Sequence, residues 1–183
     1  TSITQEWDWC SGYHDSENSV IGFSHTHLSG TGCGDLFDVT LMPVTGEVVY
    51  SRGRLGDYTT GFWSEADRSQ EVVEPGYYAV PLTRYNILAE MTATERGALH
   101  RYTFPASETA AIVLDLKNGG CWDRTMDTFI EAADPATGTS ADTATTAIRG
   151  YRFSRGWASD QKIYFYAEFS KPLTGLNIIR EEV

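Results

Sequence analysis

Six short apolar runs, each bounded by a turn signal, constrain this chain more than anything else in it. Val39 to Val44 (VTLMPV) closes on Thr45-Gly46, and Tyr77 to Leu82 (YYAVPL) follows Pro75-Gly76. Ile87 to Thr94 (ILAEMTAT) alternates, with Ile87, Ala89, Met91 and Ala93 on one face. Leu99 to Phe104 (LHRYTF) alternates as well and stops at Pro105, while Ala110 to Leu116 (AAIVLDL) ends at Asn118-Gly119-Gly120. Ile163 to Phe169 (IYFYAEF) sets Ile163, Phe165, Ala167 and Phe169 against Tyr164, Tyr166 and Glu168. Short period-two runs bounded by Gly, Pro and Asn predict strands, and a succession of them predicts an all-β sandwich.

Two stretches break the rhythm. Residues 51 to 74 are polar and charged and read as a long excursion between strands. Residues 132 to 147 (AADPATGTSADTATTA) have side chains too small to bury much apolar area, so they read as a loop or a weak edge strand. Strand patterns resume on both sides of each, so neither reads as a linker, and no internal repeat is present. The 183 residues suffice for one domain of ordinary size.

Charge narrows the function. Fourteen Lys and Arg against 25 Asp and Glu give a net charge of −11. A nucleic-acid backbone is bound by basic surface, so a general nucleic-acid binder is not expected. No run approaches the ~20 apolar residues that span a bilayer, and no basic-then-apolar leader opens the chain. The chain begins at Thr1 rather than Met, which reads as a processed product or a piece of something longer. Cys10, Cys33 and Cys121 are too few for a disulfide scaffold and leave one bridge or three thiols equally open. Aromatic residues reach 13%, which suits a sheet core, although exposed Trp faces also stack on sugar rings.

The most unusual segment is residues 7 to 38, WDWCSGYHDSENSVIGFSHTHLSGTGCGDLFD, with three of the four histidines and two of the three cysteines. On an extended strand His25 and His27 point to the same side. Two same-side histidines are short of the three or four ligands a metal site needs, so a polar patch lining a groove is the better reading. The glycine-rich run from Ser29 to Asp35 lacks the Lys and the following helix of a phosphate loop. Its glycines read instead as a tight, close-packed turn.

Other chemistries find little support. No GxSxG elbow marks a serine nucleophile, and Cys10, four residues before His14, has no activating helix beside it. Carboxylates cluster at Asp35 and Asp38 and around Asp127, Glu131 and Asp134. A glycosidase needs two of them set across a bond, and an acidic surface supplies such neighbours by chance.

The strings WDWCSGYH, VIGFSHTHLSGTGCGD, DVTLMPVTG, EPGYYAVPL, ILAEMTATERGALHRYTFP and RGWASDQKIYFYAEFSKP follow one another from Trp7 to Pro172. In order and spacing they resemble the N-terminal β-sandwich domain of the glycoside hydrolase family 92 α-mannosidases. That resemblance implies a supersandwich-like domain packed on an (α/α)6 helical catalytic domain, which this chain does not include. It implies calcium-dependent, inverting removal of terminal α-linked mannose, with α-1,2 the expected linkage, from the mannose-rich glycans met in N-glycan degradation. The acid, the base and most calcium ligands would then come from the helical domain, leaving no catalytic residue and no metal ligand in this chain and a fragment inactive alone. Of this chain's residues, Trp9 would stack on or wall off a sugar ring and Cys10 would line the pocket. His14, His25 and His27 would contact hydroxyls or support those that do. The expected partners are a mannose-containing glycan and the helical domain of the same polypeptide, in an extracytoplasmic setting (secreted, periplasmic or on the cell surface). The family's glycine-rich opening strand is not found ahead of the Trp-Cys segment, so residues 1–183 are expected to form a single sandwich incomplete at its N-terminus. The competing reading is a free-standing carbohydrate-binding or interaction sandwich without catalysis.

Overall fold

A computed structural model describes residues 13, 17–26, 36–54, 56–120, 123–138 and 145–180. Eleven strands are assigned among them: β1 (Ser19–Val20), β2 (Thr40–Val44), β3 (Ser64–Glu65), β4 (Val72–Glu74), β5 (Tyr77–Leu82), β6 (Ile87–Ala93), β7 (Ala98–Thr103), β8 (Ala111–Asp115), β9 (Arg124–Ala133), β10 (Ala147–Arg155) and β11 (Gln161–Glu168). One turn of 3-10 helix, Arg68–Gln70, is held by the Asp67 side chain accepting from the Ser69 amide. The architecture is all-β, as the strand spacing predicted. A four-stranded meander β4-β5-β6-β7 and a three-stranded sheet β11-β10-β9 accompany the pairs β1-β3 and β2-β8, and every pairing is antiparallel.

The meander forms where its turns demand it. Pro75 fixes φ and Gly76 takes φ +80°, the combination of a type II turn, which sets Glu74 opposite Tyr77. The Thr94 amide donates to the Gly97 carbonyl at 2.7 Å and folds β6 back onto β7. The inner face of this sheet then carries Val80, Leu82, Ile87 and Ala89, all nearly inaccessible. Val20, Ile21, Phe23, Met42 and Val44 from the opposing layer pack on it, with Phe62 and Trp63 from the excursion. Each such side chain contributes about 1.5–3 kcal/mol by leaving water. Gly22 lets the incoming segment lie close against β2: its φ is +140°, and a Cβ there would stand 2.5 Å from the Thr40 side chain.

Three expectations are amended. Ala93 sits on the predicted inner face but at the sheet's end, where it is exposed. The excursion at 51 to 74 contains β3, the 3-10 turn and the edge strand β4. The tract at 132 to 147 is mostly connection: β9 ends at Ala133, Asp134 caps a turn through the Ala136 amide, and β10 begins at Ala147. Residues 139–144 lie outside the described residues.

β9 and β10 are absent from the sequence reading because β10 inverts the usual pattern. Its buried positions hold Gly150, Arg152 and Ser154, whereas Tyr151 and Phe153 face outward and stack at 4.4 Å. Phe129, Tyr164 and Tyr166 share that outer face and are all substantially exposed. Arg152 is completely buried. Its Nη1 donates to Asp38 Oδ1 at 2.7 Å, its Nε to the Leu116 carbonyl at 2.9 Å and its Nη2 to Thr125 Oγ1 at 2.7 Å, while Asp123 also closes on Nη2. This one side chain ties β10 to the start of β2 and to the β8–β9 connection.

Candidate functional site

Of the five residues proposed from sequence, Trp9, Cys10, His14 and His27 lie outside the described residues. The parts of the segment that are described locate its course. Tyr13, just before His14, lies with its ring 5.0 Å from the Arg68 guanidinium, and its hydroxyl donates to Glu71 Oε2 at 3.1 Å. Glu71 also accepts from the Tyr78 hydroxyl at 2.5 Å and pairs with Arg68, whose Nη2 holds the Glu17 carbonyl at 2.8 Å. Beyond Glu17 the chain dives into the core. Phe23 settles between two rings of the meander, 6.5 Å from Tyr78 and 6.4 Å from Tyr102. It re-emerges at Ser24, and His25 meets His100 of β7, Nε2 to Nε2.

These contacts fall at one level of the sheet. Tyr78, Met91 and His100 are directly opposite one another across β5, β6 and β7. Tyr78 and His100, the ends of that row, are two strand spacings or roughly 10 Å apart; Tyr13 is tied to the Tyr78 end through Glu71, and His25 sits at the His100 end. Among the described residues His25 thus meets His100, 75 positions away. The alternation of LHRYTF does place His100, Tyr102 and Phe104 on one side of β7. Only the register against Tyr78 and Met91, which no spacing reveals, brings them under His25.

Burial shapes the chemistry of this corner. His100 is pushed down to about 4, first by desolvation and then by the neighbouring His25, so it is neutral at ordinary pH. Its Nδ1 lies 2.6 Å from the Tyr102 hydroxyl. Burial raises both Tyr102 and Tyr78 well above the usual phenol range, and the Glu71 carboxylate adds to the effect on Tyr78. Ser24, His25, Thr26, His100 and Tyr102 line an open groove of about 2720 Å³.

The base of the glycine-rich loop is fastened beside the histidines. The Phe37 amide donates to the Thr26 carbonyl at 2.6 Å, and the Asp38 amide donates to Thr26 Oγ1 at 2.9 Å. Leu36 and Phe37 take left-handed conformations, φ 75° and 58°, a strained choice for such side chains, to make that closure. Residues 27–35 themselves lie outside the described residues.

Of the carboxylates noted in the sequence, Asp35 lies outside the described residues, and the others are each engaged by a neighbouring group. Asp38 is committed to Arg152, Asp127 accepts from Tyr151, Glu131 pairs with Arg149, and Asp134 caps its own turn. Among the described residues no three His, Cys, Asp or Glu side chains are gathered as a metal site. Also among them, no helix is long and apolar enough to cross a membrane.

Residues 1–183 match the model of the glycosyl hydrolase family 92 N-terminal domain from end to end. The chain belongs to glycosyl hydrolase family 92. This family 92 N-terminal domain is similar in structure to the family GH92 alpha-mannosidase BT3965 from Bacteroides thetaiotaomicron. The likeness has a TM-score of 0.82 and 36% identity, and covers 93% of this chain and 22% of that one. A second structure of the same enzyme, in complex with mannoimidazole, matches equally well over 21% of its chain. An uncharacterized secreted glycosidase of Arthroderma benhamiae is 32% identical over 100 residues, 51% of this chain and 12% of that protein. The matched stretches thus make up about a fifth of the mannosidase and 12% of the secreted glycosidase.

Proposed function

We propose that this domain is the sandwich part of a larger exo-acting α-mannosidase and builds one wall of its mannose pocket. The observation that carries the reading is the 36% identity and shared fold with a family 92 α-mannosidase over nearly the whole chain. The row Tyr78–Met91–His100, flanked by Tyr13 and His25, is the wall, and Trp9, Cys10, His14 and His27 belong to the same segment. In this reading terminal α-linked mannose, α-1,2 above all, is released with inversion. One carboxylic acid protonates the leaving oxygen and a second carboxylate activates water on the opposite face of the ring. Both groups are assigned to the helical domain that follows in the same polypeptide.

Calcium is assigned there as well. The described carboxylates do not fit a calcium ion, which takes six to eight oxygen ligands. Of the described carboxylates that line the groove, Asp115 pairs with Arg52, Asp123 with Arg152, and Asp127 accepts from the Tyr151 hydroxyl. The secreted relative supports an extracytoplasmic setting. The test is mannose release from α-mannobioses by the full-length protein, with and without a chelator, and with the 183-residue chain in parallel. Release by the full protein alone, lost with chelator, is expected. No release from any sample would discard the mannosidase reading and leave a carbohydrate-binding sandwich. Trp9→Ala in the full protein tests the wall itself: turnover equal to wild type would remove Trp9 from it.

A further inference from the structure

One edge of β8 is bare. Leu41 of β2 turns its amide and carbonyl to Phe23, with bonds of 3.0 and 2.9 Å on the side of β2 remote from β8. Leu41 and Leu114 are therefore a non-hydrogen-bonded pair of the β2–β8 ladder. Pro43 and Ile112, two residues along, are another, and proline has no N–H to give. The N–H and C=O groups of Ile112 and Leu114 consequently point away from β2, and among the described residues nothing bonds to them. This edge lies within the groove. Ala111 and Val113 pack down on the core, while the half-buried Ile112 and Leu114 line the groove with Leu41. The flanking strands β7 and β9 line it too, and their Leu99 and Met126 are far more exposed, so the β8 edge is recessed between them. β8 and β9 meet at the bridge between Asn118 and Arg124 and are not paired beyond it. A row of free backbone donors and acceptors among apolar side chains is a template for one more strand.

We propose that β8 is completed by an extended strand of the same polypeptide, supplied from outside residues 1–183, which runs between β8 and β9 and bonds to the backbone of Ile112 and Leu114. Three observations choose this occupant. A recessed edge admits a single extended chain, whereas the equally recessed β8 of a second copy cannot reach it. An apolar edge left open invites aggregation, so its partner has to be in place whenever the protein is folded, and a tethered segment at millimolar effective concentration achieves that. The chain also matches an N-terminal domain and corresponds to 22% of the mannosidase it resembles, which leaves polypeptide to supply the strand. Both faces of β8 are apolar over Ala111 to Leu114, so the strand that extends them is apolar on both faces too. The strand takes the β8 side of the groove and leaves the β7 side, with His100 and Tyr102, to the mannose wall. The inference goes beyond the mannosidase reading and shares with it only the longer polypeptide.

Hydrogen–deuterium exchange of the full-length protein, resolved to single amides by electron-transfer dissociation, reads this edge directly. The Val113 amide faces Met42 of β2 and is slow in either case. The Ile112 and Leu114 amides are expected to exchange at least about a hundredfold more slowly than in an open chain. Fast exchange at those two, alternating with slow exchange at Val113, would overturn the proposal. p-Benzoylphenylalanine in place of Leu114 identifies the neighbour. On irradiation of the full-length protein the cross-link is expected within one chain, to a peptide from outside residues 1–183. A cross-link to a peptide within residues 1–183, or to a second copy at twice the mass, would overturn the assignment. Should that variant fail to fold, exchange of the wild-type protein at two concentrations still decides, because protection that falls on dilution belongs to a second copy and would overturn the proposal, while protection unchanged on dilution is the expected result. Neither readout depends on mannose release, so failure of the strand and failure of the mannosidase reading are told apart.

Discussion

Removing the guanidinium of Arg152 should be among the most damaging single changes in the domain. The side chain is wholly buried and bridges two carboxylates that are themselves buried, Asp38 and Asp123. In an Arg152→Met chain the volume is roughly kept, but two negative charges are left in the interior without a counter-charge. Asp38 keeps a bond from Gln161 Nε2 at 2.7 Å, while the Leu116 carbonyl loses a donor. Breaking a buried ion pair by removing one partner costs about 3–5 kcal/mol. For a chain of this length each kcal/mol moves Tm by about 2–4 °C, so a fall of roughly 6–20 °C is expected. Equilibrium urea unfolding followed by tryptophan fluorescence would supply the free energy, and calorimetry the Tm. The decisive control is the triple variant Asp38→Asn, Asp123→Asn, Arg152→Met. With the charges gone the desolvation cost goes too, and most of the stability should return. A single variant that loses less than about 1 kcal/mol, well under the cost of stranding a buried charge, would refute the reasoning. So would a triple variant as unstable as the single one, because the damage would then lie in lost packing rather than in stranded charge.

Gly150→Ala should destabilise by about 1–3 kcal/mol, since a Cβ would stand 2.1 Å from the Phe129 carbonyl oxygen and 2.8 Å from the Phe165 ring; thermal unfolding by circular dichroism checks it. Glu90 is held down to about 2 by hydrogen bonds from Arg101 and then Tyr77. A depressed carboxylate contributes stability that is complete above its unfolded value of 4.5 and is lost as pH falls toward 2. The Tm difference between wild type and Glu90→Gln should therefore shrink across that window and be constant from pH 6 to 8. Trp157→Ala, at a site 71% exposed, should change the stability of the isolated chain by less than about 0.5 kcal/mol in urea unfolding.

The strands that were legible in the sequence are those whose two faces meet different surroundings. β5, β6 and β11 show this: Leu82, Ile87 and Ala89 are sealed, while Tyr164 and Tyr166 stand in solvent. β10 was illegible because its interior is ionic. A strand that fully buries Arg152 while Tyr151 and Phe153 on its other face are only half-buried cannot be read by hydrophobic alternation, and its partner β9 carries charge at Arg124, Asp127 and Glu131. The site divides in the same way. The unusual composition of residues 7 to 38 singled out His25, but a cross-strand register is a property of the folded sheet. Its partners His100 and Tyr102, and the Arg68–Glu71 anchor for Tyr13, follow from pairing that local pattern does not encode.

That register also says why a wall can be built here. A strand-to-strand row offers side chains at fixed spacing on a surface that cannot easily deform, since β5, β6 and β7 are pinned by core residues one and two rows below. What lies on the row is an incoming segment fastened at three points: Tyr13 on Glu71, Phe23 between two rings, and Thr26 to Phe37 and Asp38. The last of these reaches Arg152 through Asp38, so the buried ion cluster and the histidine pair share one short stretch of chain. Damage at Arg152 should consequently propagate to His25: an Arg152→Met protein that stays folded at low temperature should show shifted His25 imidazole resonances, whereas Gly150→Ala, on the same strand but without a bond to Asp38, should not.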